Sequence, residues 1–278
     1  MAAVAVTLVL GGGGVKAAAG IGAARALDEI ELPPTRLVGT SMGAVMAALL
    51  AAGLTPKEAE RRLMVSAEQP LGSPSVKALL SGIYAKALLK GHQLERLITG
   101  LIPVSRFDQL KWPLTVTATD LDTGELVLFG DGGQDIPLVT ALVASCALPV
   151  YLPPVTYGGR RYVDGGLRAV LPLEVAAKWQ ADRVIAVDTG AGFDDLPSTA
   201  APPPALLRAH DSAVGILLAE QTRQALAHWR AMPDRPPLTY IRPPVERGAT
   251  FRVDQVKRYV DAGEHAARAA LGLTPPSA

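Results

Sequence analysis

Along the 278-residue chain, unbroken apolar runs alternate with stretches in which apolar residues return every three or four positions. Val4–Leu10 is a continuous β-favouring run, the pattern of a strand buried on both faces. Gly11–Gly14 follow, and a helix is predicted from about Val15 to Ile30 with Ile21, Ala24, Leu27 and Ile30 on one stripe. Pro33-Pro34 ends it. Leu37-Val38 predicts a short second strand, and Met42–Ala52 an Ala/Leu-rich helix closed by Gly53. This βαβα opening favours a parallel sheet. Thr55-Pro56 begins another helix, with Thr as N-cap and Pro in the first turn. Residues 66–82 read as loop, and two short helical patterns follow, the second around Leu94–Leu101.

Further on, Leu114–Ala118 and Glu125–Phe129 flank a hairpin-like turn at Asp122-Thr-Gly124. Ile136–Leu148 predicts a helix, and Tyr157–Val163 a hairpin leading into Asp164-Gly165-Gly166. Pro172–Trp179 is helical in pattern, and Arg183–Val187 is another buried strand. Residues 191–204 read as a flexible connection ending in Pro202–Pro204. Helices over about 205–231 and 253–271 close the chain, on either side of the short apolar run Leu238–Ile241. With no internal repeat, the expectation is one α/β domain over 1–278, the stretch 191–278 being its helical C-terminal part.

Composition narrows the function. The apolar fraction of 49% and net charge of +1 exclude a disordered chain, and the glycines lack the three-residue period of collagen. Lys+Arg 27 against Asp+Glu 26 leaves no global electrostatic case for nucleic acid, nor a general attraction to anionic lipid. Cys146, the single cysteine, reads as a buried thiol in a reducing compartment. No apolar run approaches the ~18 residues of a membrane span. The apolar N-terminus lacks the charged region and cleavage site of a signal peptide, so the expected location is cytoplasmic.

Three segments carry candidate chemistry. Leu10-Gly-Gly-Gly-Gly-Val-Lys16 runs from strand through glycines into a helix, which presents N–H groups to an anion. Gly12, Gly14 and Ala17 also satisfy a dinucleotide pattern, but Val38-Gly39-Thr40 lacks the acid that would hold a ribose. Gly39-Thr-Ser-Met-Gly43 is a nucleophile-elbow pattern in the required strand–turn–helix context, pointing to Ser41. Asp-Gly-Gly after a strand is usually a turn, and Asp131-Gly-Gly133 reads as one; Asp164-Gly-Gly166 is set apart by Tyr162-Val163 before it and a helix after Pro172, and by itself is a weak signal. A serine nucleophile needs a base, most often His oriented by Asp. The order Ser41, Asp188, then His210 or His265 fits an α/β-hydrolase triad, yet only one βα unit precedes Ser41, which disfavours that fold's arrangement. His92 sits in a Gly-His-Gln helix-start loop, and His210, His228 and His265 lie on polar helical stretches that read as surface. Asp120 and Asp122 suit turn roles.

Taken together, these segments resemble the patatin-like phospholipase family. Leu8–Lys16 is similar to its glycine-rich oxyanion loop, Gly39–Gly43 to its elbow and Asp164–Gly166 to its catalytic Asp-Gly-Gly. Ala118–Gly124 and Ala144-Ser-Cys-Ala-Leu-Pro149 are similar to family segments in the same order, and the resemblance covers about residues 4–190. It implies a three-layer α/β/α fold with a mostly parallel sheet. It implies Ser41 as nucleophile with Asp164 in a Ser-Asp dyad, an oxyanion hole from the N–H groups of Gly12, Gly13 and Gly14, and Lys16 at a basic position near substrate. Ala17 stands where the family often has Gly. The implied activity is hydrolysis of lipid acyl esters, of phospholipase A or lysophospholipase type, without metal or other cofactor. An acyltransferase using the same acyl-enzyme is the alternative among enzymes, and a phosphate- or nucleotide-binding protein using Gly11–Gly14 the alternative outside them. Transient contact with a membrane surface is compatible with a lipid substrate. Arg160, Arg161 and Arg168 could meet a headgroup, and Tyr84, Leu88, Leu89, Leu97 and Leu101 could form a lid or a packing stripe.

Overall fold

The structure is a computed structural model that describes residues 4–67, 91–192, 204–246 and 253–274. Tyr84, Leu88 and Leu89 and most of the 191–204 connection lie outside the described residues. Eight strands form one sheet: β1 (Val6–Leu10), β2 (Arg36–Thr40), β3 (Leu114–Asp120), β4 (Leu126–Gly130), β5 (Val155–Tyr157), β6 (Arg160–Asp164), β7 (Arg183–Val187) and β8 (Leu238–Ile241). Their order is β5-β6-β3-β2-β1-β7-β8, with β4 paired to β3 outside this path. From β3 to β8 every neighbouring pair is parallel, whereas β4, β5 and β6 pair antiparallel.

Side-chain alternation divides the core in two. Val6, Leu8 and Leu10 of β1 join a large cluster on one face, while Val9 joins a smaller one on the other. The larger cluster holds helices α1 (Ala19–Glu29), α2 (Met42–Ala51), α3 (Pro56–Ala67), α4 (Gly91–Leu101), α5 (Leu138–Ser145) and the C-terminal helix. The smaller face is covered by Leu173, Val175 and Ala176 of a one-turn helix and by Trp229 of the long helix that follows β7. We number the last four helices α6 (Gly166–Ala169), α7 (Leu173–Ala176), α8 (Ala205–Ala231) and α9 (Val256–Leu271). This is the expected α/β/α arrangement.

Most predicted elements appear within a few residues of their expected ends. The helix expected from Val15 instead opens with a 3₁₀ turn, Gly14–Ala18, before α1 begins. The stretch Pro172–Trp179 holds only the four residues of α7, and α6 was not anticipated. Leu97 and Leu101 pack into the core, so both behave as a packing stripe.

The C-terminal elements belong to the same sheet and core. β8 pairs in parallel with β7, and α9 lies directly against α1. The two helices touch backbone to backbone. A methyl on Gly263 would come within 1.9 Å of the Ala19 carbonyl oxygen, and one on Gly22 within 1.8 Å of the Val260 oxygen. Gly263→Ala is therefore expected to force the helices apart and destabilise the protein by about 1–3 kcal/mol, read as a lower urea midpoint with an unchanged slope.

Candidate active site

Strand β3 brings the elbow and the aspartate together. Thr40, the last residue of β2, pairs with Thr117, and Asp164, the last residue of β6, pairs with Ala118. β2 and β6 therefore share one edge of β3 and run toward each other, their ends meeting between two successive residues of that strand. β4 takes the opposite edge, pairing with the same Thr117 and Ala118. Ser41, one residue beyond β2, is thereby delivered to Asp164, and its Oγ donates to Asp164 Oδ2 at 2.7 Å.

Ser41 sits on a strained turn. Its φ of 54° and ψ of −135° lie outside the regions an L-residue adopts freely. The turn is sharp enough to need glycine on both sides. A methyl on Gly39 would come within 2.4 Å of Ala44 Cα, and one on Gly43 within 2.4 Å of the Leu10 and Gly11 carbonyl oxygens. Helix α2 starts immediately after Ser41, so the positive end of its dipole lies at the elbow.

Asp164 is 4% exposed, and its carboxylate accepts from Ser41 through one oxygen and from the Gly166 N–H through the other, each at 2.7 Å. Burial raises its pKa from 3.8 to about 6, and the two hydrogen bonds only partly offset that rise. Cys146 is buried as expected. Burial and the neighbouring Asp164 charge push its thiol well above the usual pKa, so it stays neutral.

The glycine loop lies against the elbow, where a methyl on Gly12 would sit 3.4 Å from Ser41 Cβ. Its N–H groups are not equivalent. Those of Gly11 and Gly12 donate to the carbonyls of Val187 and Val170, each at 2.9 Å. Gly12, expected as an oxyanion donor, is thus occupied in holding the loop to the sheet and to the segment after α6. The N–H groups of Gly13 and Gly14 have no partner among the described residues. Gly13 packs on Thr189, where a methyl would come within 2.3 Å of the carbonyl oxygen, and Gly14 has a φ of 62°. The Ser41 N–H is also taken, donating to Ser145 Oγ at 2.8 Å.

Lys16, expected to face substrate, is 2% exposed and donates to the main-chain carbonyl of Glu246 at 3.2 Å. The 3₁₀ turn points it back into the protein. The headgroup candidates Arg160 and Arg161 pair with Asp120 and Asp122, and the Asp120 carboxylate also accepts from the N–H groups of Asp122 and Thr123. These four residues tie the β3–β4 turn to β6. Asp188 does not assemble a triad among the described residues. Its carboxylate accepts from Gly190 N, Tyr240 Oη and Arg242, while His210 pairs with Asp211. In the sequence Asp188 stands out only as a possible triad member. The turn signal of Asp188-Thr-Gly190 straight after a buried strand marks its observed place, behind the glycine loop. Thr40, standing where a ribose acid would be, is fully buried and donates to the Ala169 carbonyl. Among the described residues, no group of three or more His, Cys, Asp or Glu is placed to hold a metal ion. No helix among them is long and apolar enough to cross a membrane.

The chain belongs to the patatin-like phospholipase family, whose defining pattern it matches over residues 8–177. It is 29% identical to an uncharacterized NTE family protein of Mycobacterium tuberculosis over 96% of this chain and 46% of that protein. It is 32% identical to patatin-like phospholipase domain-containing protein 7 of Rattus norvegicus over 67% of this chain and 14% of that one. The chain thus spans less than half the length of these curated relatives. VipD from Legionella pneumophila has a similar fold, with a TM-score of 0.52 at 16% identity over 97% of this chain and 67% of that chain.

The raised pKa of Asp164 carries a stability cost with a defined sign. The folded state holds this proton more tightly than the unfolded chain, so stability falls as pH rises from near 3.8 to about 6 and remains lower above. At pH 7.5 the ionised group costs roughly 3 kcal/mol. Asn at this position can still accept from Gly166 and can donate to Ser41. Asp164→Asn is therefore expected to raise the melting temperature at pH 7.5, with the gain vanishing toward pH 4 in thermal scans across that range.

Proposed function

We propose that this chain is a serine acyl hydrolase acting on lipid esters, of phospholipase A or lysophospholipase type, with Ser41 as nucleophile and Asp164 as its base. The observation that carries the reading is the 2.7 Å hydrogen bond from Ser41 Oγ to a buried carboxylate. The strained elbow and the open Gly13 and Gly14 N–H groups support it. The family to which the chain belongs is the reason to place a lipid ester in the site.

The ionised Asp164 takes the Ser41 proton as Oγ attacks the ester carbonyl. Gly13 and Gly14 N–H groups stabilise the tetrahedral oxyanion, each donor contributing about 3 kcal/mol in comparable sites. Asp164 then returns the proton to the departing alcohol, leaving an acyl-Ser41 ester. Asp164 next deprotonates water for attack on that ester, and the second tetrahedral species collapses to free acid and restored Ser41. A carboxylate of ordinary pKa is a weak base toward a hydroxyl. Burial of Asp164 makes it a stronger one without lifting it above neutral pH.

The test is fluorophosphonate labelling together with ester hydrolysis. Wild type is expected to label, while Ser41→Ala neither labels nor turns over. Asp164→Asn should lose at least about a thousandfold in kcat. In wild type, kcat/KM should rise with pH around 6 and then level off, because only ionised Asp164 accepts the proton. Labelling that survives Ser41→Ala would overturn the assignment. Release of free fatty acid from phosphatidylcholine separates hydrolysis from transfer to an added alcohol.

A further inference from the structure

We propose that Ser145 is a positioning residue of this reaction, holding the main chain of Ser41 in the conformation that makes its hydroxyl reactive. The inference rests on the reading of Ser41 as nucleophile. Ser145 is the last residue of α5 and is completely buried. The rest of that helix's buried side is apolar, with Leu138, Ala141, Leu142 and Ala144. A hydroxyl in such surroundings is unfavourable unless it is hydrogen-bonded. Its partner is the N–H of Ser41, at 2.8 Å.

That N–H belongs to the residue with a φ of 54° and a ψ of −135°. A strained backbone persists only where its surroundings over-determine it. Gly39 and Gly43 permit the turn by having no side chains, but permission does not hold it. Among the described residues, Ser145 Oγ is the acceptor that fixes the direction of the Ser41 N–H. It also keeps that N–H from turning toward substrate, leaving the oxyanion to Gly13 and Gly14.

The same short segment grips the other half of the dyad. The Ser145 carbonyl accepts from the Gly165 N–H at 3.3 Å, and the Ala147 carbonyl from the Asp164 N–H at 3.1 Å. Nucleophile and base are therefore both referenced to residues 145–147. Loss of the Ser145 hydroxyl releases one of them and leaves the other in place. Displacement of a reacting atom by about an ångström costs on the order of a hundredfold in rate.

The experiment compares the full chain as wild type, Ser145→Ala and Ser145→Cys, using a soluble p-nitrophenyl ester and a fluorophosphonate. Cys fills the space of Ser but is a poor acceptor, so it separates lost volume from lost hydrogen bonding. Both variants are expected to have kcat reduced by about tenfold to a hundredfold, with KM within about twofold of wild type. Labelling rate should fall in proportion, while the midpoint of the pH profile stays in place because Asp164 keeps its burial and its Gly166 bond. Wild-type kcat in both variants, or full recovery in Ser145→Cys, would overturn the proposal. If Ser145→Ala does not fold, Ser145→Cys alone decides it by the same readouts. Wild type that fails to label would instead remove the underlying assignment of Ser41.

Discussion

Two strands that are distant in sequence end against neighbouring residues of a third, and the candidate site depends on that register. β2 arrives at Thr117 from one direction and β6 at Ala118 from the other. Slipping either strand by one residue would turn its last side chain to the opposite face of the sheet. Ser41 and Asp164 could not then meet. The junction is held by hydroxyls as well as by the sheet: Thr40 and Thr117 share a 2.7 Å hydrogen bond, and Thr119 donates to the Asp164 carbonyl at 2.9 Å. Buried polar residues in an otherwise apolar core are tolerated when they are paired, and here they gather at the strand ends that face the site.

The same junction explains why Asp164 is both costly and useful. A carboxylate at the meeting point of two strands and only 4% exposed has little water around it. Its pKa rises to about 6 for that reason, and no neighbouring anion is needed to account for the shift. Partial compensation by Ser41 and Gly166 keeps the group ionised at neutral pH. A third strong donor on the carboxylate would stabilise the anion further and bring its pKa back down. Asp188, just after β7, has a structural place instead. Tyr240, Arg242 and the Gly190 N–H all converge on it, and it holds a turn in place.

Much of this was legible in the sequence, for different physical reasons in each part. The strands around the parallel core announce themselves as apolar runs because both faces are buried, and the elbow announces itself because close approach allows only glycine at 39 and 43. Asp164 was ambiguous because Asp-Gly-Gly is also ordinary turn chemistry, and strand register, not local pattern, distinguishes it from Asp131. The direction of each glycine N–H and of the Lys16 side chain was beyond sequence reasoning. Those depend on whether a glycine run leads into an α turn or a 3₁₀ turn, and on where Val170 and Glu246 sit in space. Ser145 was hidden for a similar reason, since a serine at a helix end carries no sign of what its hydroxyl will meet 104 positions away.

The family match ends at residue 177, yet the glycine loop is supported from beyond it. Gly13 rests on Thr189, which follows β7, and the adjoining Asp188 is held by Tyr240 on β8 and by Arg242 just after it. Lys16, at the other end of the loop, reaches the main chain of Glu246, whose carboxylate in turn accepts from Tyr259 on α9. The open N–H groups of Gly13 and Gly14 therefore lie between two anchors supplied by the C-terminal third of the chain. A preorganised oxyanion site is effective only when its donors cannot relax away from the charge. On the proposed reading of these donors as an oxyanion site, β8 and α9 support it from behind the loop.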